Sequence, residues 1–319
     1  MAGVECDVLH QRALKVPLQA MPWSAVNNRG IELIVRRDDL IDPYQSGNKF
    51  YKLFYNLQAA REQGFNQLLS FGGAYSNHLY ALAAAGHSTG IATIGVVRGE
   101  RPAQLSPTLQ DAEAWGMQLC FVPRTAYRAD NEALLHQLRA SYGNFLLVPE
   151  GGSNLLGARG ATAMGWAITR QLGDAFDAVC VPCGTGSTLA GLACGLPRGK
   201  TALGFSVLKG LGNLGCEINR LYQTLNADTD PCCVAGAQWR LISGYHGGGY
   251  AKKLPPVLRD FWRDFEAETG ILLEPVYSLK MFWGIACLAA QGYWSPGTRL
   301  VAVHTGGLQG RRGFLPSRV

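Results

Sequence analysis

The sequence predicts an α/β protein with mostly parallel sheets, and three observations carry that prediction. Short apolar runs alternate with segments of helical periodicity, the pattern of strand, crossover helix, strand. With 319 residues, 47% of them hydrophobic and only 16% charged, the chain can bury a large core and has room for two lobes. Its 40 glycines cluster where apolar runs end, as in "GGAYSNH", "EGGSN", "CGTGSTLAG", "YHGGGY" and "HTGG". Glycine there marks backbone that turns sharply or approaches a ligand closely.

Each element follows from local pattern. "IELIVRRDD" reads as a strand, and "KFYKLFYNLQAAREQGF" has helical periodicity. "QLLSFGG" is a short strand ending in glycines. "SNHLYALAAAGHSTG" then forms a helix capped by Ser76 or Asn77. "IATIGVVRG" is a strand, "SPTLQDAEAWGM" a helix capped by Ser106, and "QLCFVP" a strand. "DNEALLHQLRASYG" is a helix, "NFLLVPEGG" a strand, and "GARGATAMGWAITRQLG" follows. The strand "DAVCVPCG", the helix "STLAGLACGL" and the run "TALGFSVL" come next. Ligands in such sheets lie at the carboxyl ends of the strands. Glycine-rich exits after "LLSF", "FLLVPE", "AVCVPC" and "LVAVHT" therefore point to one shared pocket. The irregular stretch "SGYHGGGYAKKLPP" reads as an active-site loop.

Net charge is +6, with no run of lysines and arginines to track a phosphate backbone, so nucleic acid is not an expected partner. The surplus suits a small anionic ligand or a plain solvated surface. Nine cysteines are an odd set. Cys180, Cys194 and Cys287 sit in apolar runs, where cysteine acts as a small hydrophobe. Cys180 and Cys183 form a C-x-x-C, but no second pair has zinc spacing, so no metal is expected. The vicinal pair Cys232-Cys233 reads as structural. "MAGVECDVLHQR" lacks a leader's apolar region, and no apolar run reaches membrane-spanning length. A reduced, cytoplasmic, soluble protein is the expectation.

Two features carry chemistry. In "AVCVPCGTGSTLAGL" the loop Gly184-Thr185-Gly186-Ser187-Thr188 joins a strand to a helix. Free backbone N–H groups, the helix dipole and three hydroxyls favour an anion there. It is neither a Walker A loop nor a G-x-G-x-x-G, and a monophosphate fits it best; an ordinary glycine turn with a helix cap is the plainer alternative. In "DPYQSGNKFYKL", Lys49 stands at a turn entering a helix, the wrong end for a cation. Either it points into water or its surroundings unsettle its charge. A desolvated lysine amine is a nucleophile toward aldehydes. An aldehyde cofactor with one phosphate is pyridoxal 5'-phosphate.

"SGNKFYKL" resembles the lysine motif of the fold-type II, tryptophan synthase β-like pyridoxal-phosphate enzymes. The nearest branch holds 1-aminocyclopropane-1-carboxylate deaminase and D-cysteine desulfhydrase. "FGGAYSNHLYALAAAG", "PEGGSN", "CGTGSTLAGL", "EPVYSLKM" and "HTGG" occur in that branch's order, so the resemblance covers most of the chain. It implies a two-lobed homodimer with the cofactor between the lobes. Residues 1–50 and 158–319 would form a larger cofactor-binding domain, and residues 51–157 a smaller one.

The resemblance also implies roles. Lys49 matches the Schiff-base lysine and Lys52 a second lysine near the site. Ser76, Asn77 and His78 match the turn that binds the substrate carboxylate. Asn77 would also hydrogen-bond the cofactor's phenolic oxygen, and Ser76 would handle a substrate proton. Tyr277 matches an active-site tyrosine. Tyr250 matches a second, although "AKKLP" replaces the usual Gly-x-Pro-Asn after it, which leaves Tyr245 as an alternative. Thr305 and Ser278 fall where the pyridine nitrogen finds its partner. The cyclopropane deaminases carry a glutamate at the position of Ser278, and glutamine at that of His78. Two further departures are Tyr51, where an arginine is expected, and the basic segment "LQGRRGFLP" after "HTGG".

A hydroxyl partner leaves the ring nitrogen largely neutral and makes a weaker electron sink. That suits β-elimination better than cyclopropane opening. The expected function is therefore that of a pyridoxal-phosphate β-eliminating deaminase, most simply of D-cysteine. The alternatives are a 1-aminocyclopropane-1-carboxylate deaminase, a non-catalytic pyridoxal-phosphate binder, and a nucleotide- or sugar-phosphate-binding α/β protein.

Overall fold

The computed structural model describes residues 2–128, 131–210, 212–227, 236–250 and 254–314, so the Cys232-Cys233 pair and residues 251–253 of the glycine-rich loop lie outside the described residues. The chain opens with α1 (Ala2–Leu14), β1 (Leu18–Ala20), α2 (Ser24–Asn27), β2 (Glu32–Arg36) and α3 (Asn48–Glu62). It continues with β3 (Gln67–Gly72), α4 (Asn77–Thr89), β4 (Ala92–Arg98), α5 (Pro107–Ala114), β5 (Gln118–Val122), α6 (Arg124–Arg128), α7 (Asn131–Tyr142) and β6 (Leu146–Val148). Then come α8 (Leu155–Leu172), β7 (Ala178–Cys183), α9 (Ser187–Gly195), β8 (Thr201–Ser206), α10 (Leu214–Ala227) and β9 (Gln238–Ile242). It closes with α11 (Pro256–Thr269), α12 (Ser278–Ala290), β10 (Arg299–Val303) and a 3-10 turn at Leu308–Gly313.

Two sheets result. A six-stranded sheet runs β1-β2-β10-β7-β8-β9 and a four-stranded sheet runs β5-β4-β3-β6. Every pairing is parallel except β1 against β2. Parallel strands bury both faces, and β7 shows how. Val179, Val181 and Cys183 enter one apolar cluster, while Ala178 and Cys180 enter another. The period-2 alternation thus sends the two thiols of the C-x-x-C into different cores. Burial pushes both thiol pKa values up, that of Cys183 to about 12. They are free structural cysteines.

The caps fall where expected. Ser76 Oγ accepts from Leu79 N at 3.2 Å, and Ser106 Oγ from Leu109 N at 3.3 Å. Helix packing sets the spacing of the future site. A Cβ at Gly160 of α8 would lie 1.9 Å from the Tyr51 carbonyl oxygen of α3. A Cβ at Gly191 of α9 would lie 2.0 Å from the Ala158 carbonyl oxygen of α8. The missing side chains bring three helix backbones together and fix the N-termini of α3 and α9. Helix α3 also serves both cores. Tyr51 and Tyr55 pack with the six-stranded sheet, and Leu53, Leu57 and Ala60 with the four-stranded one. Among the described residues no helix is long and apolar enough to cross a membrane.

Candidate active site

The four glycine-rich exits converge. An inner cavity is lined by Lys49, Lys52 and Asn77, by the Gly184–Gly186 loop after β7, by Gly151 after β6, and by Tyr277 and Thr305. An outer cavity of about 590 Å³ opens beyond it and shares Lys49, Asn77, Gly184 and Tyr277 with it. Ser76, His78 and Tyr250 line the outer cavity too. That volume lies within the usual range for small-molecule sites.

Lys49 is the second residue of α3. The turn before it needs glycine, because Gly47 has φ 71° and ψ −147°. A Cβ there would lie 1.8 Å from the Thr305 carbonyl oxygen. The lysine turn and the "HTGG" turn are thus interlocked. Burial pushes the Lys49 ammonium down to about 8, and the Glu274 carboxylate only partly offsets that. Lys52 is itself held well below the usual lysine range, by burial first and by Lys49 second. Lys52 Nζ donates to the Gly151 carbonyl at 3.1 Å. His78 is buried and kept neutral, by burial first and then by the two lysines. Its Nε2 shares a 2.9 Å hydrogen bond with Ser70 Oγ, while Nδ1 has no partner among the described residues.

The loop at 184–188 has the form a monophosphate needs. Gly186 is left-handed at φ 90° and caps α9, which points its free N–H groups into the loop. Ser187 Oγ is buried without a hydrogen-bond partner among the described residues, a cost that an anion at this place would remove. Asn48 Nδ2 donates to Thr188 Oγ1 at 2.9 Å, which ties the lysine turn to the cradle. Ser153 Oγ donates to the Thr185 carbonyl at 3.2 Å, which ties in the "PEGGSN" turn. A Cβ at Gly184 would come within 3.1 Å of the Tyr277 ring. Ser187 lines neither cavity, but its unpartnered hydroxyl lies in the open first turn of α9; that helix end, Thr185 and Thr188 in the inner cavity, and a lysine whose charge burial weakens fit pyridoxal phosphate.

The two hydroxyls expected near a pyridine nitrogen part company. Thr305 lines the inner cavity. Ser278 lines neither cavity; its Oγ accepts from Glu274 N at 2.7 Å and donates to the Glu274 carbonyl at 3.2 Å. Of the two tyrosines weighed for the loop, Tyr250 lines the outer cavity, and its hydroxyl reaches the Tyr75 carbonyl at 3.5 Å. Tyr245 packs instead against the rings of Phe205 and Trp283 in the core.

Three neighbours escaped the sequence reading. Asn48 stood inside the quoted lysine motif, and its polarity beside Lys49 was an unused signal. Glu274 is buried, and burial pushes its carboxyl up to about 7. Its oxygens accept from Val276 N at 3.0 Å and Tyr277 N at 2.6 Å, so it holds the turn that presents Tyr277. Gln309 lies in the basic segment after "HTGG" and donates to Asn77 Oδ1.

Tyr51 is also explained. It points into the core and lines neither cavity. Its hydroxyl donates to Asp38 Oδ1 at 2.5 Å and accepts from Arg36 Nη2 at 3.1 Å. Arg36 Nε donates to Asp38 Oδ2 at 3.0 Å. The guanidinium absent from position 51 is thus supplied by β2. Tyr51→Phe is expected to leave one buried carboxylate oxygen unpaired and to cost about 1–3 kcal/mol in urea unfolding, with cofactor uptake unchanged.

Comparison with known proteins gives the family. The model of the family described as "Pyridoxal-phosphate dependent enzyme" matches residues 13–306. A Pyrococcus horikoshii protein provisionally named a 1-aminocyclopropane-1-carboxylate deaminase is 26% identical over 93% of this chain and 90% of its own. The mitochondrial bifunctional D-cysteine desulfhydrase/1-aminocyclopropane-1-carboxylate deaminase of Arabidopsis thaliana is 28% identical over 88% of this chain and 73% of its own. A solved structure described as an ACC deaminase homologue superposes with a TM-score of 0.79 at 26% identity, over 92% of this chain and 90% of the other. The chain therefore belongs to the pyridoxal-phosphate dependent enzymes, in the branch of the 1-aminocyclopropane-1-carboxylate deaminases and D-cysteine desulfhydrases.

Proposed function

We propose that the protein is a pyridoxal-phosphate-dependent β-eliminating deaminase of the D-cysteine desulfhydrase type. It converts a small amino acid to a 2-oxo acid and ammonia, and releases sulfide when the substrate is D-cysteine. The family resemblance supports a homodimer, and the cysteine usage supports the cytoplasm. The observation that carries the reading is the lining of the inner cavity. It presents lysines, amides and hydroxyls, and among the described residues no carboxylate.

Bound pyridoxal phosphate supplies an electron sink for the pair released at the substrate α-carbon. A carboxylate beside the ring would keep its nitrogen protonated and deepen that sink. Thr305 offers a hydroxyl instead, and Glu274 is occupied by two backbone amides. A shallower sink suits a reaction in which the β-substituent leaves with the electrons. Lys49 Nζ, uncharged in part near neutrality, is the amine for the aldehyde and the base for the α-proton. The amides and hydroxyls of residues 184–188 take the phosphate. The N-terminus of α4, with Ser76, Asn77 and His78, takes the substrate carboxylate. Tyr250 and Tyr277 face the space left for the side chain.

The names of the relatives favour a second reading, 1-aminocyclopropane-1-carboxylate deamination. Keto-acid and sulfide assays of the loaded enzyme separate the two. D-cysteine is expected to give pyruvate and sulfide with kcat/KM at least roughly tenfold above that for 2-oxobutyrate from the cyclopropane substrate, a gap of about 1.4 kcal/mol. The reverse ranking would assign the deaminase. A loaded protein silent toward D- and L-amino acids alike would be the non-catalytic binder.

A further inference from the structure

We propose that Gln309 is a positioning residue that sets the polarity of the Asn77 side chain toward the cofactor. Asn77 lines both cavities, whereas Gln309 lines neither. Gln309 thus reaches the cavity through a residue that lines it, Asn77. The asparagine amide is enclosed by the last glycine of "HTGG" and the segment that follows it. A Cβ at Gly307 would lie 2.1 Å from Asn77 Nδ2, and one at Gly310 would lie 3.5 Å from Asn77 Oδ1. Between these two glycines Gln309 donates its Nε2 hydrogen to Asn77 Oδ1.

The polarity follows from the chemistry of an amide. A primary amide has one accepting oxygen and one donating nitrogen, and nothing in its shape decides which faces which neighbour. A donor fixed on one side requires the oxygen there and turns the NH2 to the other. Gln309 Nε2 is the donor here, and the backbone that carries it is held in place. Arg312 Nε donates to the Gln309 carbonyl at 3.2 Å, and Gly310 N donates to the Gly307 carbonyl at 2.9 Å. The segment is anchored to both lobes. Arg311 Nη1 donates to the Leu273 carbonyl at 2.7 Å and pairs with Glu266 of α11, while Arg312 pairs with Asp111 of α5. With Oδ1 committed to Gln309, Nδ2, which packs beside Gly307, is the atom of the Asn77 amide left to donate to an acceptor such as a phenolate oxygen.

The inference rests on the reading that Asn77 meets the cofactor, and its test separates the two. Gln309→Leu removes the donor. Gln309→Glu keeps the shape and reverses the polarity, drawing Asn77 Nδ2 outward and leaving Oδ1 toward the cavity. The measurements are the dissociation constant of pyridoxal phosphate, the pH titration of the bound cofactor's visible absorbance, and the melting temperature of the cofactor-free protein. Gln309→Leu is expected to weaken cofactor binding roughly tenfold and Gln309→Glu more, with the absorbance titration displaced in both. In an Asn77→Ala background neither change should have a further effect. The melting temperature of the cofactor-free protein should move little.

A mere packing role predicts the opposite order, with the isosteric glutamate the milder change, and would overturn the proposal. So would wild-type binding and titration in both Gln309 variants when Asn77→Ala alters them. If Asn77→Ala itself alters neither quantity, the reading of Asn77 fails and the inference falls with it.

Discussion

Lys49→Ala is expected to abolish the visible absorbance of the cofactor-loaded protein and to lower keto-acid formation by at least about 10^3-fold, the scale lost when a nucleophile or proton-transfer group is removed. Cofactor would still enter the cradle, because the loop at 184–188 does not depend on the lysine. Equilibrium dialysis should therefore find pyridoxal phosphate bound more weakly but not lost. Retained visible absorbance in the variant would move the assignment to Lys52.

The wild-type protein has a matching pH signature. The Lys49 pKa is lowered from 10.5 to about 8, so at pH 7 the uncharged amine is roughly 10^2.5-fold more abundant than on a solvated lysine. The sign follows directly. Only the uncharged amine attacks an aldehyde, so the rate of cofactor loading should rise about tenfold per pH unit below 8 and level off above it. Stopped-flow absorbance of the cofactor-free protein measures this. A rate still rising tenfold per unit above pH 9 would mean that the amine is solvated.

Gly47→Ala is the second large effect. Position 47 combines a backbone conformation essentially confined to glycine with a Cβ site 1.8 Å from a carbonyl oxygen. A backbone carbonyl cannot swing aside as a flexible side chain can. The substitution is expected to cost at least about 3 kcal/mol in urea unfolding of the cofactor-free protein and to displace the lysine turn, so cofactor loading fails with it. Gly64→Ala is the control, since Gly64 has φ 72° but open space around it. It should cost only about 1 kcal/mol. Equal costs at the two positions would show that the clash is relieved locally.

Much of the fold was legible because local signals agreed. The alternation in "DAVCVPCG" and "QLLSFGG" and the serines at 76 and 106 each carried their own evidence, and β7, β3, α4 and α5 form there. Strand β1 escaped because three residues, mostly exposed, offer no periodicity, and its partner β2 lies beyond a connection that contains α2. Strand β9 escaped because the edge of a sheet lets its residues remain half-exposed. In the site, Lys49 and the 184–188 loop announced themselves through residue types ill-suited to ordinary turns. Glu274 and Gln309 did not. Each is an unremarkable polar residue until a distant segment folds against it. The place of Lys49 at a helix start hinted at an unsettled charge, and desolvation is the first cause of it. Desolvation is a property of packing and has no local sequence signal.

Helix α3 places one face in each core and carries Lys49 at its start. It is in effect a shaft with bearings on both sides. The two sheets share the element that carries the amine, so a substitution that loosens its packing in either core would be felt at Lys49.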